Sequence, residues 1–149
     1  MSSQSIQQQL SPLVGEWRME SSLGPSGGVR AHASFEWVLG GQFLLERSEI
    51  DVPEAPDGLC VIARDPATGN FTQHYFDSRG VVRLYAMTFD DGVWTLLRET
   101  PDFTPLDFAQ RYIGRLSDDG TAIRGRWEIR QPDATGWEKD FDLDYVRES

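Results

Sequence analysis

Along most of the chain, apolar and polar residues alternate in short runs, and clusters of Gly, Asp, Asn and Pro interrupt them roughly every 10 to 14 residues. A period of two puts alternate side chains on opposite faces of an extended strand. Ten strands are predicted: Glu16–Ser22, Val29–Leu39, Gln42–Asp51, Gly58–Arg64, Phe71–Asp77, Val81–Phe89, Val93–Thr100, Asp107–Leu116, Ala122–Arg130 and Trp137–Val146. Gly40-Gly41, Asp91-Gly92 and Asp119-Gly120 accept positive φ and suit tight hairpins. "DPATGN" and "QPDATG" are longer polar turns. Loops this short do not cross over to a parallel neighbour, so the order is an antiparallel meander. Closing such a sheet on itself removes its exposed edges. Ten strands also enclose a lumen wider than wall side chains easily fill. Only Ser5–Leu10 reads as helix, with Ser5 at the N-cap, Ile6 and Leu10 on one face and Pro12 ending it. The expected fold is one all-β domain over residues 1–149, a ten-stranded antiparallel up-and-down closed barrel with a short N-terminal helix.

The stretch "QHYFDSRGVVRLYAMTFDDGVWTLLRE", Gln73–Glu99, carries three of these strands. A two-residue Asp91-Gly92 loop sets Asp90 opposite Val93, and hence Tyr85 opposite Arg98, Met87 opposite Leu96 and Phe89 opposite Trp94. An even-length turn at "DSRG" then places His74 and Phe76 on the face of Arg83 and Tyr85. One face holds His74, Phe76, Arg83, Tyr85, Met87, Trp94, Leu96 and Arg98. The other holds Gln73, Tyr75, Val82, Leu84, Ala86, Val93, Thr95, Leu97 and Glu99. The first face is aromatic with a few cations at one end, the composition of a ligand pocket, and is expected to line the lumen. The competing reading turns the aliphatic face inward and leaves the Arg and His side chains in water. Both faces are apolar, so a second subunit or the N-terminal helix is expected to cover the outer one.

In the last strand, Trp137, Lys139, Phe141, Leu143 and Tyr145 share one face, and Glu138, Asp140, Asp142 and Asp144 share the other. A row of carboxylates inside a closed barrel costs several kcal/mol in desolvation and repulsion. The acids are therefore expected in water, with Phe141, Leu143 and Tyr145 facing in. In "RGRWEIR", Arg124, Arg126, Glu128 and Arg130 form an outer ladder of small energetic weight, and Trp127 and Ile129 point inward. Alternation leaves Arg111 and Arg115 open to either face.

The chain has 149 residues, of which 39% are hydrophobic, with 5 Trp, 8 Phe and 4 Tyr, enough for one core. A formal net charge of −10 repels phosphate backbones and anionic lipid, which argues against nucleic-acid and membrane partners. The N-terminal "MSSQSIQQQLSPLVG" lacks the basic region and apolar stretch of a secretory signal. No run approaches the roughly 18 apolar residues of a membrane-spanning helix. A cytoplasmic location is expected. Cys60 stands alone in an apolar run and reads as a buried, inert thiol. No Gly-x-Ser-x-Gly elbow, phosphate loop or dinucleotide fingerprint is present. The two histidines, His32 and His74, are far apart, and His74 with Asp77 is too small a set for a metal, so none is expected. His74 beside Tyr75 or Tyr85 is the best acid/base candidate; a hydrogen-bonded histidine in the barrel wall is the simpler reading. "DVPEAPDG" and "TPDFTPLDF" are the longest irregular segments and are candidate lids.

Gly15-Glu16-Trp17, opening the first strand after a short helix, resembles the Gly-x-Trp start of calycins, the lipocalins, fatty-acid-binding proteins and nitrobindins. The resemblance implies that Trp17 plugs one barrel end beneath a basic residue from the last strand. Arg147 is placed for that stack, worth about 1 kcal/mol. "FEWVLGGQFLLERSE", "FDSRGVVRLYAMTFDDGVWTL" and "GRWE…WEKDFDLDYVR" together resemble a bacterial family of calycin-like barrels of about this length. That family's function is not settled, so the likeness implies a fold and no activity. Nitrobindins hold haem through a His near the chain end; the matching "WEKDFDLDYVR" has none, so haem is not expected, nor any other cofactor.

The expected function is binding of a small apolar or amphipathic molecule in the lumen, anionic where its polar end meets the arginines. Phe76, Tyr85, Met87, Trp94 and Trp127 supply contact area. His74, Arg83 and Arg98 orient a carboxylate or other acceptor by charge-assisted hydrogen bonds. The alternatives are an enzyme using the same pocket with His74 as acid/base, and a ligand-free module that forms a homodimer.

Overall fold

The computed structural model of the protein describes residues 5–22, 31–51, 56–101 and 107–148. The ten strands are β1 Gly15–Ser21, β2 Ala31–Val38, β3 Phe43–Ile50, β4 Gly58–Arg64, β5 Phe71–Asp77, β6 Val82–Asp90, β7 Val93–Arg98, β8 Ala109–Leu116, β9 Ala122–Arg130 and β10 Glu138–Arg147. Each is antiparallel to its neighbours, and β1 also pairs with β10, so the sheet closes into a barrel. The centres of the candidate lids, residues 52–55 and 102–106, lie outside the described residues. The strand ends that bear them, Ile50, Gly58, Arg98 and Ala109, all sit at the same barrel end, called the mouth here.

The opposite end is sealed by α1, Ile6–Leu10, and a 3-10 turn over Ser11–Leu13. Ser5 and Gln8 cap each other: the Gln8 N–H donates to the Ser5 hydroxyl at 3.1 Å, and the Ser5 N–H donates to Gln8 Oε1 at 2.9 Å. Five residues do not hold a helix by propensity. Packing holds this one. Leu10 and Leu13 are fully buried, Gln7 donates to the Gly41 carbonyl at 3.1 Å, and Arg64 donates to Gln9. Trp17 is fully buried beneath the turn, and its indole N–H donates to the Leu13 carbonyl at 2.9 Å. Arg147 lies 4.1 Å above the Trp17 ring. Its guanidinium donates to the carbonyls of Pro12 (2.6 Å), Val14 (2.7 Å) and Gly120 (3.0 Å). One side chain thus ties the 3-10 turn, the entry to β1 and the β8–β9 turn together at the seam where the barrel closes.

Above this seal, aromatic rings form an unbroken series towards the mouth. Trp17 meets Tyr145 edge-on at 6.4 Å, and Tyr145 contacts Trp94 at 5.6 Å. Trp94 meets Tyr112 at 5.3 Å, Tyr112 meets Trp127 at 5.3 Å, and Trp127 meets Tyr85 at 5.6 Å. Tyr112 fits because two facing wall positions lack side chains. A Cβ on Gly125 would stand 2.3 Å from the Tyr112 oxygen, and one on Gly114 would stand 2.8 Å from its ring. The closed half of the lumen is therefore filled.

Two predicted faces are reversed, each by a single residue. The turn after β5 has three residues, Ser78–Gly80, and not an even number. The Asp77 N–H donates to the Val81 carbonyl at 3.2 Å, and the Asp77 carboxylate accepts from the backbone N–H of Arg79 at 2.9 Å. Gly80 closes the turn at φ 84°, the pattern of a turn followed by a left-handed residue. His74 consequently pairs with Leu84, and Phe76 with Val82. Both lie on the outer face, and the lumen receives Phe71, Gln73 and Tyr75 instead. Phe76 is 38% exposed and lines an open outer groove of about 330 Å³ with Arg47 and Leu59. In β10, a bulge shifts the register between Lys139 and Phe141. Trp137 is therefore outside, not on the face of Phe141. It lies between the guanidiniums of Arg111 (4.3 Å) and Arg130 (4.9 Å). Arg111 also faces out and pairs with Glu128 at 2.6 Å.

On the outer wall near the seam, His32 bridges Glu16 (2.7 Å) and Glu148 (2.8 Å), joining β1, β2 and the end of β10. Burial alone would lower the His32 pKa, but hydrogen bonds and charge from both carboxylates outweigh it and raise it. A raised folded pKa means that the bridge contributes fully below the unfolded value of about 6.5 and fades as pH rises through the folded value. Because the group is half exposed, the contribution is under about 1 kcal/mol. His32→Gln is expected to lower the urea midpoint at pH 5.5 and to leave it unchanged at pH 9. Arg147→Ala removes three carbonyl bonds and the Trp17 stack together, and is expected to cost about 2–4 kcal/mol in the same measurement.

Candidate functional site

The mouth half of the lumen is lined differently from the sealed half. Glu46, Cys60, Tyr75 and Arg83 are successive cross-strand partners on β3, β4, β5 and β6, and form one inward-facing row. Gln73 and Tyr85 form part of the adjoining row, which Arg98 and Gln110 continue on β7 and β8. Glu46, Gln73 and Arg98 are 5%, 4% and 3% exposed, depths at which polar side chains are rare. Gln110 gathers two of the others across the lumen. Its Oε1 accepts from Arg83 Nη1 at 3.2 Å and from the Tyr85 hydroxyl at 3.4 Å. Nearer the rim, the Tyr75 hydroxyl donates to Asp77 at 2.8 Å, and Arg79 donates to the same carboxylate at 2.7 Å.

Two atoms of this lining are buried and have no protein partner, the acceptor Gln73 Oε1 and the donor Arg83 Nε. They lie on adjacent strands, and Tyr75 and Tyr85 are the cross-strand partners of their residues. A third, Trp94 Nε1, lies deeper in the aromatic series. A buried donor or acceptor left without a partner costs about 1–3 kcal/mol. Side chains that carry such atoms into a lumen are suited to a polar group arriving from outside the chain.

The charge state of this half follows from burial. Burial raises the Glu46 carboxyl to about 7, against the smaller opposing effect of hydrogen bonds from Cys60 and Tyr145. Burial, reinforced by Glu46, pushes the Cys60 thiol well up. Burial likewise raises Tyr75, Tyr85, Tyr112 and Tyr145, with Arg83 offsetting part of the effect at Tyr85. At the rim, burial would raise Asp77, but bonds from Arg79, Tyr75 and two backbone N–H groups bring it down to about 2. The lumen therefore holds neutral hydroxyls, a neutral thiol and guanidinium charge. Activated cysteines have lowered pKa values; Cys60 is the reverse and is not suited to nucleophilic attack.

The structure brings Arg83, Tyr85, Arg98 and Trp127 together in the mouth half. Met87 and Trp94 are inside but deeper, each 1% exposed. His74 sits outside between Val61 and Leu84, so an acid/base in the lumen cannot be His74. Glu46, Gln73, Gln110 and Tyr112 were not singled out by sequence reasoning. Alternation in "FLLERSE" does put Leu44, Glu46 and Ser48 on one face, but a glutamate in a strand reads first as solvated.

Among the described residues, no group of three or more His, Cys, Asp or Glu side chains is arranged to hold a metal ion. No helix among them is long and apolar enough to cross a membrane. No protein-family model matches the chain, and no curated protein matches it.

Glu46 makes stability pH-dependent with a defined sign. Its folded pKa of about 7 lies above the ordinary 4.5. The folded state thus holds the proton more tightly, and stability falls as pH rises between these values, by of order 3 kcal/mol at completion. Glu46→Gln is expected to unfold at the wild-type urea midpoint at pH 4.5 and at a clearly higher midpoint at pH 8.

Proposed function

We propose that the protein binds a small amphipathic molecule in the mouth half of its lumen. The apolar part lies against Trp127 and Tyr85, and the polar end is an anion or strong acceptor read by Arg83 with Arg98. The observation that carries this reading is the half-buried, inward-facing Arg83 guanidinium, held by Gln110 on one nitrogen and with a buried Nε left unpartnered, as is Gln73 Oε1 on the adjacent strand. Arginine forms its strongest contacts with carboxylates and similar oxyanions, so an acidic head group meets the chemistry on offer. The neutral state of the neighbouring hydroxyls favours the same ligand, because none of them carries a repelling charge. The closed ten-stranded barrel with its Trp17–Arg147 seal fits a calycin-like binding protein of the cytoplasm, a group built around lumen ligands.

The test compares two fluorescent probes of nearly the same shape. Anilinonaphthalene sulfonate carries a permanent anion, and phenylnaphthylamine lacks it. Arg83→Met is expected to weaken the sulfonate about tenfold, the loss of one charge-assisted contact, and to change the neutral probe by less than about twofold. Equal effects on both probes, or none on either, would remove Arg83 from the site and overturn the reading.

A further inference from the structure

The buried carboxyl of Glu46 lies in the same inward row as Arg83, separated from it by Cys60 and Tyr75. It is fully enclosed, and the groups that touch it, the Cys60 thiol and the Tyr145 hydroxyl, are neutral. The guanidiniums of the lumen are not what holds it. A carboxylate paired with arginine has a lowered pKa, and this one is raised. Arg83 is bound instead by Gln110, at 3.2 Å.

We propose that Glu46 couples anion binding in the lumen to uptake of a proton, so that the site takes an acid as anion plus proton, with the proton held on Glu46. This rests on the lumen reading above. An anion at Arg83 adds a negative charge on the same inward row as Glu46. Repulsion between it and an ionised Glu46 is weakly screened there. The system relieves it by drawing one proton from solvent onto the carboxylate, and no bond other than that O–H forms. The charge added to the lumen then sums to zero.

The other groups facing Glu46 do not titrate in the relevant range. Phe35 faces it from β2, Cys60 from β4 and Tyr145 from β10. The charge of Glu46 is also felt at Tyr112 on β8. Beyond them in the lumen stand Tyr75, Tyr85, Arg83 and Arg98. The thiol and the four tyrosines are raised and stay neutral, and Asp77 at the rim is ionised throughout. His32 and His74 are outside the barrel wall. Among the described residues, Glu46 is left as the interior group that changes charge near neutrality.

The experiment follows anilinonaphthalene sulfonate binding between pH 6 and 8, where the probe itself does not titrate. An anion that raises the Glu46 pKa by about one unit weakens the apparent affinity roughly fivefold over this range. Glu46→Gln is expected to abolish the slope. Calorimetry of the wild type near pH 7.5, in two buffers of different ionisation heat, is expected to show net proton uptake, a readout that does not depend on the variant folding. A wild-type affinity flat with pH and no proton uptake would overturn the proposal while leaving lumen binding intact. Absence of Arg83-dependent binding even at pH 6 would sink both.

Discussion

Closure of β1 against β10 is the constraint on which the rest depends. Without that seam the sheet has two edges and no inside, and the polar side chains of the mouth half lie in water. The seam is more than a ladder of backbone bonds. Arg147, itself the last residue of β10, stacks on Trp17 and binds three carbonyls from two separate segments, the stretch entering β1 and the β8–β9 turn. A guanidinium suits this task because its fork of donors reaches several acceptors in one plane while its face lies on a ring. Burial lowers the Arg147 pKa only from a value far above neutrality, so the charge persists.

The interior is divided by chemistry along the barrel axis. Large rings fill the sealed half, and two glycines opposite Tyr112 make the fit. Towards the mouth, the lining changes to Gln, Tyr, Arg and a buried Glu. Placing guanidinium charge in such a space costs desolvation, and a stable barrel is obtained more cheaply with leucine. That cost, and two polar atoms without protein partners, distinguish this half from simple filling. The raised Glu46 carboxyl belongs to the same logic, because it keeps a negative charge away from the cations below neutrality. The proposed lumen binding and the proposed proton link both draw on this one arrangement of charges.

The outer wall has its own order. His32 bridges two carboxylates over the seam, and Trp137 is held between two arginines beside the Arg111–Glu128 pair. These contacts tie strands together where solvent weakens each single ion pair, so their weight is in position more than in energy. Leu59, Phe76 and Val82 are paired across β4, β5 and β6 on this wall, and they give it an apolar stripe.

Strand number, the antiparallel order and the helix cap at Ser5 were legible in the chain, because each rests on local spacing or on a hairpin of unambiguous length, and the Trp17–Arg147 stack was implied by the Gly-x-Trp resemblance. The Asp91-Gly92 turn adopts positive φ at both residues, and the register it implies for β6 and β7 holds. What only the folded barrel decided is which way a strand faces where one residue is in question. "DSRG" accommodates loops of two, three or four residues, and the three-residue loop closed by Gly80 sends His74 and Phe76 outward. Nothing local marks Asp140 as the extra residue of a bulge, yet it turns Trp137 to the surface. Side-chain direction has period two, so an odd insertion inverts a face while leaving composition and strand length untouched. The same limit hid Glu46 and Gln73: their burial is a property of the closed wall, and only closure turns a polar residue in an alternating strand into a buried one.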